Sequence, residues 1–331
     1  MKNIDILINM NLIKKYISPI LTVLVLMLFG VYLFKNPEIL VQVTSVRWIY
    51  IVFIMLIYLS IFFLEGIFIL ITLKIFNKDI SIKESYFLSI VSRIGNYLLP
   101  MRAGAIFRAT YLKKKYNFEY SKFLSTLYGY YIIYFLLNSF IGMSVLIYRY
   151  INTKVMSSSL LLFFFAIFMA MLFLIFVRVS WGKYIKTSKG ILSKIVSTID
   201  RFITGWSLIV KDKMHFMILL LLALGNIMLN ILVGYIEFFA IGKSIDFIGV
   251  IIYTCISGLS LLISVTPGSL GIREASFLIT SQSIGITQKE IMQLAFLDRG
   301  IMFILLLLLL IFILIFNKKL SLKKIFLGKE N

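Results

Sequence analysis

The chain has 331 residues, 61% of them hydrophobic, and carries 34 Lys and Arg against 14 Asp and Glu for a formal net charge of +20. At a mean hydropathy of +1.01 it has too little polar surface to cover a soluble domain, and an all-α integral membrane protein is expected. The basic residues sit mostly in short segments between apolar runs, where they set topology and meet anionic lipid, so nucleic acid is not expected as a partner.

In chain order, the first apolar run, 16–34, follows Lys14 and Lys15 and ends without the small-residue cleavage pattern of a signal peptide, so it reads as an uncleaved anchor. Runs at 48–73, 123–148, 156–177, 214–240 and 291–316 are also long enough for a hydrocarbon core of ~30 Å, which makes six spans. Residues 85–99 would give only ~22 Å of helix and 271–285 are equally short, so each is expected to be one arm of a re-entrant hairpin. Residues 247–266 are long enough to cross fully, and an eight-span count stays open. The order span, span, hairpin, span then occurs twice, over 1–150 and 151–331, as an inverted repeat within a single polytopic domain. If each hairpin returns to the side it enters, 26 of the 34 Lys and Arg fall on one side. The positive-inside rule makes that side cytoplasmic and places both termini there, in a multi-pass protein of the cytoplasmic membrane.

Between the fourth and fifth spans, Leu192, Ile195, Ile199, Phe202, Trp206 and Ile209 recur at helical spacing, with Lys189, Lys194 and Arg201 off that face. This predicts a cytoplasmic amphipathic helix at about 189–210 that either attaches to the anionic inner leaflet or packs on the bundle. The tail lysines Lys318, Lys319, Lys323 and Lys324 read as a topology signal.

Two segments are broken alike. Pro100 is followed four residues later by Gly104, and Pro267 by Gly271, at an offset of 167 that also relates Tyr86 to Tyr253. Proline removes a donor and glycine admits unusual dihedrals, so such breaks persist in lipid only where protein or water satisfies the freed groups. Paired breaks in two halves point to a transport site. A helix restarting near either glycine would aim unsatisfied N–H groups and its positive end into the hairpin tip, beside Arg102 and Arg108 or beside Arg273 and Glu274. Such a tip suits a phosphate, and a lipid headgroup is the phosphate at hand. The alternative is that Arg102 and Arg273 only satisfy nearby carbonyls or carboxylates and hold the hairpin shut.

A charge at mid-bilayer costs at least ~2.5 kcal/mol and so faces a cavity or a partner. Glu65 lies about 13 Å of helix from the boundary marked by Lys74, and Arg93 or Arg102 is its expected partner; the alternative is a protonated, hydrogen-bonded core residue. Arg93 and Arg108 join the candidate anion contacts, although Arg108 is near enough to Lys113–Lys115 to snorkel. Asp298 and Arg299 are adjacent on a helix, so they diverge and are expected to pair elsewhere; with Glu65 they would balance or couple charge. Glu237 reads as interfacial and His215 as a boundary residue. Tyr128, Tyr130, Tyr131 and Tyr134 either stack a sugar or headgroup or simply pack.

The stretches Leu98-Leu99-Pro100-Met101-Arg102-Ala103-Gly104-Ala105-Ile106-Phe107-Arg108 and Thr266-Pro267-Gly268-Ser269-Leu270-Gly271-Ile272-Arg273-Glu274-Ala275 resemble the two signature segments of the flippase-like family typified by the transmembrane region of lysylphosphatidylglycerol synthases. Span order and the Asp298-Arg299 neighbourhood extend the resemblance over nearly the whole chain. It implies a membrane domain that moves, or assists the handling of, lipids or lipid-linked sugars, with Arg102, Gly104, Arg108, Pro267, Gly271, Arg273, Glu274 and Arg299 at motif positions. The chain departs from the pattern at Ala105, where members often have an acidic residue, and in the tyrosines early in the next span, where they have charges.

One cysteine, Cys255, excludes an internal disulfide and a Cys-based metal cluster. No Walker A loop, metal-ligand set or Ser/His/Asp triad is present, and about fifteen residues follow the last span, so neither cofactor, bound metal nor catalysis is expected. The expected function is translocation of a phospholipid or lipid-linked sugar, its anionic headgroup held at the two hairpin tips. The alternative is an accessory subunit presenting a lipid-linked substrate to a separate glycosyl- or aminoacyl-transferase. Lipid identity, transport direction, energy source and oligomeric state are not legible in the sequence.

Overall fold

The computed structural model describes residues 45–99, 102–154, 157–176, 203–243, 245–263 and 271–316, with Met27, Val31, Phe34, Pro37, Asp200, Thr266 and Ser269. The expected first span, most of the amphipathic segment, the tail lysines, Pro100 and Pro267 lie outside the described residues. The chain is an all-α integral membrane protein, with no strand among the described residues. Its helices are α1 (Trp48–Ile75), α2 (Ile82–Leu98), α3 (Ala103–Tyr116), α4 (Tyr120–Thr153), α5 (Ser158–Phe176), α6 (Lys213–Ala240), α7 (Phe247–Ser260), α8 (Ile272–Ile284) and α9 (Gln288–Phe316), with a further helical segment at 203–211.

Among the described residues α1, α4, α5, α6 and α9 are long and apolar enough to cross a membrane. By contrast α2, α3, α7 and α8 have 17, 14, 14 and 13 residues, or roughly 20–26 Å each, short of a hydrocarbon core. The stretch whose length alone allowed a crossing, 247–266, is α-helical only as far as Ser260 and then tightens to a 3₁₀ turn at Leu261–Ile263.

Local chemistry sets the ends of these helices. Asn77 takes a left-handed conformation, φ 54°, and the Lys78 N–H returns to the Leu73 carbonyl at 3.0 Å, which closes α1 just past Lys74. Four residues on, Ser81 accepts the Glu84 N–H at 3.2 Å and opens α2. Asn117 is left-handed at the end of α3, where the Phe118 N–H reaches the Leu112 carbonyl at 3.2 Å and the ring is buried. Asp212 and Asp246 cap α6 and α7 by accepting the His215 and Gly249 N–H groups at 3.2 and 3.1 Å.

The α2–α3 hairpin folds back on itself at a very close crossing. A Cβ at Gly95 would lie 2.7 Å from Gly104 Cα, and one at Gly104 would lie 1.9 Å from the Ser92 carbonyl oxygen. The first-motif glycine is therefore needed for backbone contact. The hairpin packs on α1 through Gly66, where a Cβ would meet Tyr86 Cα at 2.9 Å.

The two halves are related by exchanging α1 with α6, α2 with α7, α3 with α8 and α4 with α9: every principal contact among these eight helices has its counterpart under that exchange. The related spans α1 and α6 are antiparallel. Tyr50 meets Phe239, Leu64 faces Gly225, and Phe68 clusters with Leu219. At the hairpin breaks the offset of 167 carries left-handed Arg102, φ 53°, onto left-handed Ser269, φ 56°. Outside this core, α5 packs on α4 and turns Phe163, Phe165, Phe173 and Phe176 outward, as lipid permits. Of the amphipathic face, Trp206 and Ile209 are described; both are buried, and the Trp206 indole donates to the Leu174 carbonyl at 3.2 Å.

Candidate functional site

The breaks of the two hairpins converge. Arg102, at the start of α3, donates through Nη2 to the Leu261 carbonyl at the end of α7, at 2.7 Å. Around this junction α1, α2, α3, α4, α6, α7 and α9, with Arg273 of α8, enclose a cavity of about 240 Å³. Arg93, Arg102, Arg108, Arg273 and Arg299 line it, together with Glu65, Glu237 and Asp298.

At its first-half end Glu65 of α1 pairs with Arg93 of α2, one of its two expected partners, and Arg93 also lies over the Phe62 ring at 5.5 Å. Arg102 sits 4.6 Å over Tyr131, and Arg108 sits 5.3 Å over Phe123. Arg108 therefore does not snorkel to the lysine cluster: α3 turns it into the cavity, where an aromatic face takes the place of headgroup water. Among the described residues neither Arg102 nor Arg108 has a carboxylate partner. Tyr130, Tyr131 and Tyr134 form a run of stacked and edge-on rings along this wall, while Tyr128 lines a neighbouring apolar cavity of about 420 Å³. The two cavities share Arg102, Tyr131 and Leu261 as their partition.

At the second-half end two adjacent dipeptides pair crosswise. Arg273 bonds Asp298, and Arg299 reaches Glu274 through Nε at 2.7 Å and Nη2 at 2.5 Å. Adjacency on a helix prevents Asp298 and Arg299 from meeting each other, and both find partners on α8. Tyr58 of α1 donates to Asp298, and Tyr97 of α2 donates to the Arg299 carbonyl at 3.1 Å. Glu237, read from sequence as interfacial, is instead 1% exposed and lines the cavity with Asp298. Its burial is tertiary, since α6 packs against α1, α4, α7 and α9. A signal was present in the polar stripe Asn226, Asn230, Glu237, which lies at helical spacing on an otherwise apolar span and lines the cavity throughout.

One helix-start donor at each break is taken by the protein itself. Asn96 accepts the Ala105 N–H at 3.2 Å, and Glu274 accepts the Gly271 N–H at 2.8 Å. Gly104 and Gly271 thus shape the breaks, and side chains are left to read a ligand. Of the expected site residues Arg93, Arg102, Arg108, Arg273, Glu65, Asp298 and Arg299 all line the one cavity, with Glu274 behind Arg299. Buried polar atoms lacking a hydrogen-bond partner gather there as well: Ser92 Oγ, Asn226 Nδ2, Glu237 Oε1, Tyr253 Oη and Arg273 Nε all belong to cavity-lining residues. Such groups are rare unless water or a ligand meets them.

The chain is a member of the family of the lysylphosphatidylglycerol synthase TM region, which matches residues 16–309. It is also 32% identical over 110 residues to a UPF0104 membrane protein of Methanothermobacter thermautotrophicus, an alignment spanning 33% of this chain and 31% of that relative. No solved structure matches it.

Proposed function

We propose that the protein translocates a phosphate-bearing lipid, either a phospholipid or a lipid-linked sugar, across the cytoplasmic membrane without chemistry on it. The observation that carries this reading is the pair Arg102 and Arg108: both line the cavity, and neither is neutralised by a carboxylate among the described residues. An anion entering hydrocarbon is opposed by desolvation, and a guanidinium offers bidentate charge-assisted hydrogen bonds that replace its water. Arg273, the other arginine read as an anion contact, is paired with Asp298, so on this reading Arg102 and Arg108 take the larger part of the anion.

The cavity suits a headgroup and is too small for acyl chains. Those lie in the apolar groove on the other side of Arg102, between α4, α5 and the 203–211 segment, so the lipid straddles the partition with its phosphate at the arginine. Binding involves side-chain charge, aromatic faces and apolar wall.

A fluorescent phosphatidylglycerol in liposomes containing the purified protein, bleached from outside, tests the reading. Bleaching beyond the outer leaflet is expected, reduced about tenfold or more in Arg102→Ala, in line with loss of a charged hydrogen bond of roughly 1.5–3 kcal/mol. Protection of the inner leaflet at every lipid composition, with copurification of a transferase, would replace transport with the accessory role.

A further inference from the structure

We propose that Glu237 and Asp298 form a proton-binding site that shares one proton in the resting protein, and that a second proton frees Arg273 to face the anion. The inference rests on the transport reading for its second clause only.

Glu237, 1% exposed, has one carboxylate oxygen without a hydrogen-bond partner and lines the same cavity as Asp298, itself 3% exposed. Asp298 already accepts from Tyr58 through Oδ1 and from Arg273 through Oδ2. A buried carboxyl group with an oxygen that no donor meets costs less to protonate than to leave charged, and Asp298 is the acidic neighbour on the same wall with which Glu237 can share that proton. The charge count agrees: Glu237, Glu274 and Asp298 face Arg273 and Arg299, and one proton makes the group neutral. Tyr253, 2% exposed and with its hydroxyl unpartnered, stands beside them on the cavity wall.

The titratable groups around Glu237 are Tyr58 from α1, Tyr97 from α2, Tyr253 from α7, Arg273 and Glu274 from α8, and Asp298 and Arg299 from α9. From α4, which also packs on α6, Tyr130 and Tyr134 face Glu65 and Arg93 instead. A second proton, taken from water onto the Asp298 carboxylate, removes the counter-ion of Arg273 and raises the positive charge of the cavity by one. Anion binding then favours proton uptake, and proton uptake favours anion binding to the same degree.

Infrared spectroscopy of the full chain in lipid nanodiscs reads the first clause without transport. A carboxylic-acid carbonyl band is expected at pH 7, absent in Glu237→Gln, unchanged in Glu65→Gln, and retained but displaced in Glu237→Asp, which keeps a carboxyl group should the glutamine variant fail to fold. No band at pH 7, or a band untouched by both Glu237 substitutions, overturns the proton site. In liposomes, phosphatidylglycerol movement is expected to be at least about fivefold faster at pH 6 than at pH 8. Movement equal at both pH values overturns the coupling, whereas no movement at any pH, with the band present, overturns transport and leaves the proton site standing.

Discussion

Among the five cavity arginines, environment divides residues that the sequence presents alike. Arg93, Arg273 and Arg299 are held by carboxylates, and Arg102 and Arg108 by aromatic faces and, for Arg102, a carbonyl. The depth of Glu65, nine residues from Lys74, was legible and implied a partner on the first hairpin. The burial of Glu237 was not, because a span read by itself does not disclose which helix faces it. The Glu65–Arg93 pair has a testable energy. Glu65→Gln leaves a guanidinium in the cavity without its counter-ion and is expected to cost about 2 kcal/mol, below the ~3–5 of a fully buried pair because the Arg93 side chain is 31% exposed. Thermal unfolding of Glu65→Gln, Arg93→Gln and the double variant should show the double less destabilised than the two singles summed.

At the scale of helices, proline followed by glycine announced both breaks, yet the first tip is closed by Asn96, which reaches across the break to the Ala105 N–H, while Glu274 caps the restarted helix α8 at the Gly271 N–H. Gly104→Ala drives a methyl group into the Ser92 carbonyl and is expected to destabilise by about 1–3 kcal/mol, whereas Gly300→Ala, with open space around it on α9, is neutral or stabilising by up to ~1 kcal/mol. Both are read as the midpoint of thermal unfolding. The far end of the same hairpin is tied by Glu84, which accepts from Tyr111, Lys115 and Tyr116, each at 2.8 Å. Burial alone would raise the Glu84 carboxyl, but these bonds outweigh it and hold it below its ordinary value of 4.5. A carboxyl group depressed by folding contributes stability that is present above its unfolded value and lost as pH falls through its folded one. The melting temperature is therefore expected to drop as pH falls below about 4.5, and to drop less in Glu84→Gln.

Across the whole molecule, the order of long and short apolar runs was visible in the sequence, because length alone separates what can reach across a bilayer from what cannot. The antiparallel match of α1 with α6 was implied by that order and is seen in the pairing of Tyr50 with Phe239 and Phe68 with Leu219. The lysine distribution yields a prediction of orientation. Cys255 is buried, so a Cys255→Ser background is expected to be quiet toward thiol reagents. In intact cells a membrane-impermeant maleimide should then label Asn152→Cys and spare Lys114→Cys until the membrane is opened. The reverse pattern would invert the assigned sidedness.

A body that looks nearly the same when turned upside down receives no instruction from its own packing about which way up to sit. For this chain the asymmetry the sequence offers is the Lys and Arg of its loops, so moving them from one rim to the other is expected to flip the molecule while leaving its interior intact.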